Sequence, residues 1–169
     1  TGQVLKRNFD ETISLLLHFD ENKIIVYFQN TCGLFDSTTL ECIKWFKVAE
    51  NINFMIKINE VSISTASLNA LNLYNIESEE MKLLREHNEE IVDLKDVKNQ
   101  FISCTSREIF FWDKDMLICL NSVIINDYGV NNLLRLSTEQ LIFTCSYSNV
   151  IKSLSLDDMR IVNISDQYK

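Results

Sequence analysis

Few residues in this chain are of a type that does chemistry, and they are widely separated. His18 and His87 are the only histidines. No pair of them falls at metal-ligand spacing on one element, and no Ser or Cys stands with them in a nucleophile–base pattern. Both read as structural residues of strands or turns. The acidic runs Glu77-Ser-Glu-Glu80 and Glu89-Glu90 bring carboxylates together, which is the raw material of paired acid–base catalysis. Clustered like charge reads more simply as a solvated face. Cys32, Cys42, Cys104, Cys119 and Cys145 contain no C-x-x-C pair, so neither a zinc site nor a disulfide framework is expected. Each lies in or beside an apolar run, where a reduced thiol acts as a small core hydrophobe, and that favours a reducing, intracellular compartment, cytoplasmic or nuclear. The string Phe110-Phe111-Trp112 could line a ligand cage and is better read as a strand packed on both faces. No catalytic residue, metal or cofactor is expected, and the chain reads as a non-enzyme.

Composition narrows the partners. The 169 residues are 46% hydrophobic and 24% charged, as in a packed domain. There is no proline, and the three glycines, Gly2, Gly33 and Gly129, never lie close together, which removes any glycine-rich phosphate loop. The net charge of −8 repels phosphate backbones and anionic membrane surfaces, so no nucleic acid is expected. No apolar run reaches the roughly 18 residues of a membrane span. The start, Thr1-Gly2-Gln3-Val4, has neither an initiator Met nor a signal peptide and reads as an excised piece of a longer chain.

Turns must then be made without Gly and Pro. Asp20-Glu-Asn-Lys23, Asp96–Asn99, Thr138-Glu-Gln140 and Ser146–Asn149 fit, because Asn, Asp and Ser side chains bond to nearby backbone amides. Between them lie short apolar runs. In the best-defined stretch the spacing predicts strands over Glu90–Leu94, Gln100–Cys104, Glu108–Asp113 and Met116–Leu120. The segment Ile76–Glu90 is rich in helix formers with i,i+4 charge pairs; its place in the repeat assigns it to an outer strand and a loop.

The repeat is visible as an apolar run, a short polar turn and a second apolar run, the first run ending in a Cys in Phe101–Asp113 and Leu141–Leu156. Phe101–Asp113, Leu141–Leu156, Ile24–Asp36 and Val61–Asn75 share this shape. Taking Phe35, Tyr74, Trp112 and Ser155 as equivalent gives a period of roughly 40 residues, that of four-stranded propeller blades. The approximate units are 3–45, 46–84, 85–121 and 122–164.

Glu86-His87, Glu90-Ile-Val-Asp-Leu94, Phe101-Ile-Ser-Cys-Thr-Ser106 and Ile109-Phe-Phe-Trp-Asp113 resemble the WD-repeat β-propeller family. Trp112-Asp113 stands where that family's Trp-Asp closes the third strand of a blade, and His87 where its Gly-His falls. Phe35-Asp36 and Tyr74-Asn75 look like degenerate forms of the dipeptide. The resemblance covers nearly the whole chain, with a true Trp-Asp in one unit. It implies an all-β fold of four-stranded antiparallel blades, part of a larger or partner-completed propeller. In family blades an Asp about six residues before the Trp ties down the His. Ser106 stands there, and Gln29, Leu68 and Asn149 in the other units, so the complete His–Asp–Ser–Trp network is not expected. The Arg that the family's ubiquitin-ligase docking motif places two residues after the Trp-Asp is replaced by Asp115.

The implied function is a protein–protein interaction scaffold within an intracellular complex. The alternative is a regulatory or substrate-recognition domain of a larger enzyme whose catalysis lies elsewhere. Blade loops supply the candidate contacts: His87, Asn88, Arg107, Asp127, Tyr128 and Tyr147. Acidic character points to other proteins with basic segments as partners.

Overall fold

The computed structural model describes residues 9, 12–126, 129–137, 139–146 and 148–164. The described chain is all strand and turn, with sixteen strands in four antiparallel sheets of four. Each sheet follows chain order: β1(Leu15–Asp20) to β4(Cys42–Lys47), β5(Phe54–Lys57) to β8(Met81–Glu86), β9(Ile91–Val97) to β12(Cys119–Ile124), and β13(Val130–Arg135) to β16(Ile161–Asn163). Among the described residues no helix is long and apolar enough to cross a membrane.

The chain divides into two compact units, residues 1–68 with 72–83, and residues 69–71 with 84–169. The first unit has a core of Phe19, Ile25, Cys32, Leu34, Phe46 and Ile63, with Phe46 stacked on Tyr74 at 5.1 Å. In the second unit, the core draws Ile102, Cys104, Ile109 and Phe111 from the third sheet and Leu133, Leu141, Phe143 and Leu154 from the fourth.

Middle strands are buried on both faces, as β10(Gln100–Thr105) and β11(Glu108–Asp113) show, whereas outer strands such as β8 and β12 are mostly exposed. That explains the imperfect alternation in the sequence: a middle strand covered on both sides has no polar face to write. Burial also pushes the Cys32 thiol up to about 12 and raises Cys104 further, so these thiols sit protonated in the core.

Ile76–Glu90 folds as a turn, the strand β8 and a loop, with sheet pairing overriding helix propensity. Two strands of the third sheet differ from expectation. The first, Ile91–Val97, runs past Leu94 into the expected Asp96–Asn99 turn. The outer strand of the third sheet is Cys119–Ile124 and not Met116–Leu120, because Asp113 opens a loop that uses up the intervening residues.

That loop recurs in every sheet. Asp36 Oδ1 accepts the amides of Thr38 and Thr39, both at 2.8 Å. Asn75 Oδ1 accepts those of Glu77 and Ser78, both at 2.9 Å. Asp113 Oδ1 accepts those of Asp115 and Met116 at 2.8 and 2.7 Å. The backbone N–H groups of Asp36, Asn75, Asp113 and Ser155 each donate to the carbonyl that closes the loop, on Glu41, Glu80, Ile118 and Arg160. The next residue in each case, Ser37, Ile76, Lys114 or Leu156, donates to the turn joining the first two strands, at Asn22, Val61, Asn99 or Glu139. The amides of Thr39 and Thr38 hold the Asp36 carboxyl below its ordinary pKa.

The left-handed residue of each loop is not a glycine. It is Leu40 (φ 59°), Glu79 (φ 60°), Leu117 (φ 55°) and Met159 (φ 56°). Asx side chains therefore replace only part of what Gly and Pro normally supply; the strained position is occupied by ordinary residues and held by its neighbours. The pattern also moves one equivalence by a residue. Leu154 is the buried penultimate residue of β15(Ser148–Ser155) and stands with Phe35, Tyr74 and Trp112, while Ser155 stands with Asp36, Asn75 and Asp113.

Candidate functional site

The third sheet holds the densest polar arrangement. Trp112, from β11, donates its indole N–H to Ser103 Oγ in β10 at 2.9 Å. Ser103 Oγ lies 3.2 Å from His87 Nε2. The hydroxyl accepts from the indole and pairs with Nε2, as donor or acceptor according to the imidazole tautomer. His87 is 2% exposed, and its Nδ1 has no partner. The ring sits 4.5 Å from Phe110, whose other neighbour is the Arg85 guanidinium, also at 4.5 Å. Burial first, and the Arg85 charge second, push the imidazole down from 6.5 to about 4. His87 is thus a neutral interior brace.

The other sheets rebuild this position with different residues. Ser103 lies nine residues before Trp112; the same step back from Tyr74 reaches Thr65, and from Phe35 it reaches Val26. Thr65 Oγ1 is buried without a partner; Tyr74 has no indole N–H, and Val48, which follows β4 as His87 follows β8, has no polar side chain. In the first sheet the brace is wholly apolar, with Phe9 against Phe28 at 5.2 Å and Phe35 at 5.5 Å.

Beside His87 the chain surfaces. Asn88 is exposed, and its neighbour Glu89 accepts Arg107 Nε at 2.8 Å and the Ser106 hydroxyl. Thr105 Oγ1 accepts the amides of Arg107 and Glu108. Asn69 Nδ2 and the His87 amide complete the turn, donating to His87 O and Asn69 O at 2.9 and 2.8 Å. Ser106, at the position of the family's Asp, turns its hydroxyl to Glu89. Of the expected contact residues, Asn88 and Arg107 are surface groups here and His87 is interior; Asp127, Tyr128 and Tyr147 lie outside the described residues.

Sequence reasoning passed over Asp93. This carboxylate is 2% exposed and joins two sheets: Oδ2 accepts the Leu133 amide of β13 at 2.8 Å, and Oδ1 accepts the Leu94 amide and pairs with Lys95 Nζ at 3.0 Å. Its signal was an acid at an inward position in Ile91-Val-Asp-Leu94.

Among the described residues no group of three or more His, Cys, Asp or Glu is placed to hold a metal. A cleft of about 750 Å³ in the first unit is lined by Ser14, Gln29, Asn30, Glu50, Asn51 and Asn53 among others. It brings amides and one carboxylate together with no nucleophile and base.

The architecture has close counterparts among solved structures. The structure of U3-55K matches with a TM-score of 0.74 at 11% identity, covering 93% of this chain and 53% of that one. The crystal structure of the RRP9 WD40 repeats matches with a TM-score of 0.74 at 12% identity, covering 93% and 52%. The four sheets have the fold of WD-repeat propeller blades. The chain spans about half the length of the solved structures it matches. No protein-family model and no curated protein matches it. In blade terms, Trp112-Asp113 closes the third strand of the third blade, with the indole on Ser103 and the carboxylate in the loop.

Proposed function

We propose that the chain is a non-catalytic protein-interaction scaffold of an intracellular complex, and that the loops beside His87 form its recognition surface. The WD-repeat fold supports the scaffold reading, because such blades present rigid loop surfaces to other proteins. The observation that carries the site is the turn around Asn88. A buried brace beneath it fixes the backbone, and Arg107 and Ser106 hold Glu89. The exposed Glu86 and Glu90 flank it. With a net charge of −8, this surface suits a basic segment of a partner, and Asp127, Tyr128 and Tyr147 are proposed to extend it.

The test is fluorescence anisotropy with a labelled lysine-rich peptide across a salt series. Binding is expected to weaken steeply as salt rises and to fall when Glu86 and Glu90 are both changed to Lys. Binding that ignores salt and these substitutions, or no binding at low salt, overturns the proposed surface.

A further inference from the structure

The four outer strands are not protected alike. An exposed strand edge carries unpaired N–H and C=O groups, and natural sheets guard it with Lys, with Pro or by brevity. Strand β4 carries Lys44 and Lys47, and β8 carries Lys82, Arg85 and Glu86. Strand β16 is only 3 residues long. Strand β12, Cys-Leu-Asn-Ser-Val-Ile, has 6 residues and no charge. Its one sheet neighbour is β11, along which Asn121–Ile124 runs in unbroken register from Phe111 to Glu108. Leu120 is 48% and Ile124 69% exposed, on either side of Ser122. Among the described residues this edge carries no charge; it is regular over Asn121–Ile124 and has a register shift at Leu120.

From this edge we infer that β12 accepts an added strand: an uncharged, alternating apolar segment of a partner protein, bracketed by Lys or Arg. The backbone edge asks for an extended chain. Exposed Leu120 and Ile124 ask for apolar side chains, and the regular register of Asn121–Ile124 asks for them at alternate positions. The charge at the strand ends selects the brackets. Glu108 lies opposite Ile124, and Asp113 and Asp115 lie at the Cys119 end. Two nearby cations are paired, Arg107 with Glu89 and Lys114 with Asp96, while Arg85 lies over the Phe110 ring with its charge reaching Cys119. This inference rests on the scaffold reading and names a partner class for a second surface, separate from the Asn88 turn.

The experiment titrates the full chain with a synthetic peptide of alternating valine and threonine bracketed by lysines, and with the same peptide N-methylated along one edge. The parent peptide is expected to bind, the N-methylated one to lose binding, and Leu120→Lys or Ile124→Lys to weaken it by roughly tenfold or more, since a Lys on the edge is a natural block. Leu83→Lys on β8 is expected to leave it unchanged. Circular dichroism and thermal melts confirm that the variants fold. Binding indifferent to N-methylation and to both β12 substitutions overturns the proposal. So does a concentration-dependent dimer that Leu120→Lys abolishes while the peptide fails to bind, which assigns the edge to a second copy. If the peptide fails while the lysine-rich probe still binds the Asn88 turn, strand addition falls and the scaffold reading stands.

Discussion

Ser103 Oγ lies 3.2 Å from His87 Nε2 while taking the Trp112 indole N–H at 2.9 Å. One hydroxyl therefore serves two rings and ties the segment before the blade to its second and third strands. Replacing it strands two buried nitrogens, at about 1–3 kcal/mol for each unsatisfied group. Ser103→Ala is expected to destabilise the protein by about 2–4 kcal/mol, read by urea denaturation. Ser103→Thr, which keeps the hydroxyl, is expected to cost less.

The pH dependence follows from the same ring. The folded-state pKa of His87 is lowered from 6.5 to about 4, so between these values the unfolded chain binds the extra proton. Its contribution to stability is fully present above pH 6.5 and is lost as pH falls from 6.5 towards 4, up to about 3 kcal/mol in all. His87→Phe is expected to remove this slope, with the new ring lying against Trp112 as Phe9 lies against Phe35 at 5.5 Å. Denaturation of both proteins at several pH values across that range checks the difference.

Asp93 is a second polar tie. Asp93→Ala leaves the buried Leu133 amide without its 2.8 Å acceptor and removes the partner of Lys95. A loss of about 2–4 kcal/mol is expected, the range for breaking a buried charged hydrogen bond. Amide exchange at Leu133 is the sharpest reading, with protection lost there first.

The blade loops hold stored strain. A left-handed residue with a side chain costs about 1–2 kcal/mol, and Asn adopts that conformation more readily. Leu117→Asn is therefore expected to raise stability by about 0.5–1 kcal/mol. A β-branched residue tolerates the region worst, so Leu117→Val is expected to lower it. Thermal melts of the two variants separate the outcomes by sign.

Gly33 is fixed by packing. A Cβ there would meet the Phe35 ring and would sit 3.1 Å from Trp45 Cζ3. Gly33→Ala is expected to cost about 1–3 kcal/mol, as overpacking does, and to shift the fluorescence of Trp45.

Much of this was legible in the chain. The period, the strand–turn rhythm and Trp112-Asp113 carried the blade assignment, because each repeats a local bonding pattern that short stretches encode. What stayed hidden depends on pairing across sequence distance. The position of β12 followed from how many residues the Asp113 loop uses up. Ser103 looked like any strand serine until Trp112 and His87 closed on it. Asp93 has its partner, the Leu133 amide of β13, forty residues away in the chain. Asp and Asn announced the turns, whereas the left-handed Leu40, Leu117 and Met159 carried no turn signal, since their conformation is imposed by the hydrogen bonds around them.

The central claim is that the whole repeat, including the helix-like stretch Ile76–Glu90, is folded as blades. Backbone chemical shifts and cross-strand contacts from solution NMR on the 169-residue protein test it most directly. Extended shifts are expected over Met81–Glu86 and over Cys119–Ile124, with close approach of Phe101 to Trp112 and of Ile25 to Leu34. Helical shifts running through Ile76–Glu90, with those pairs apart, would contradict it.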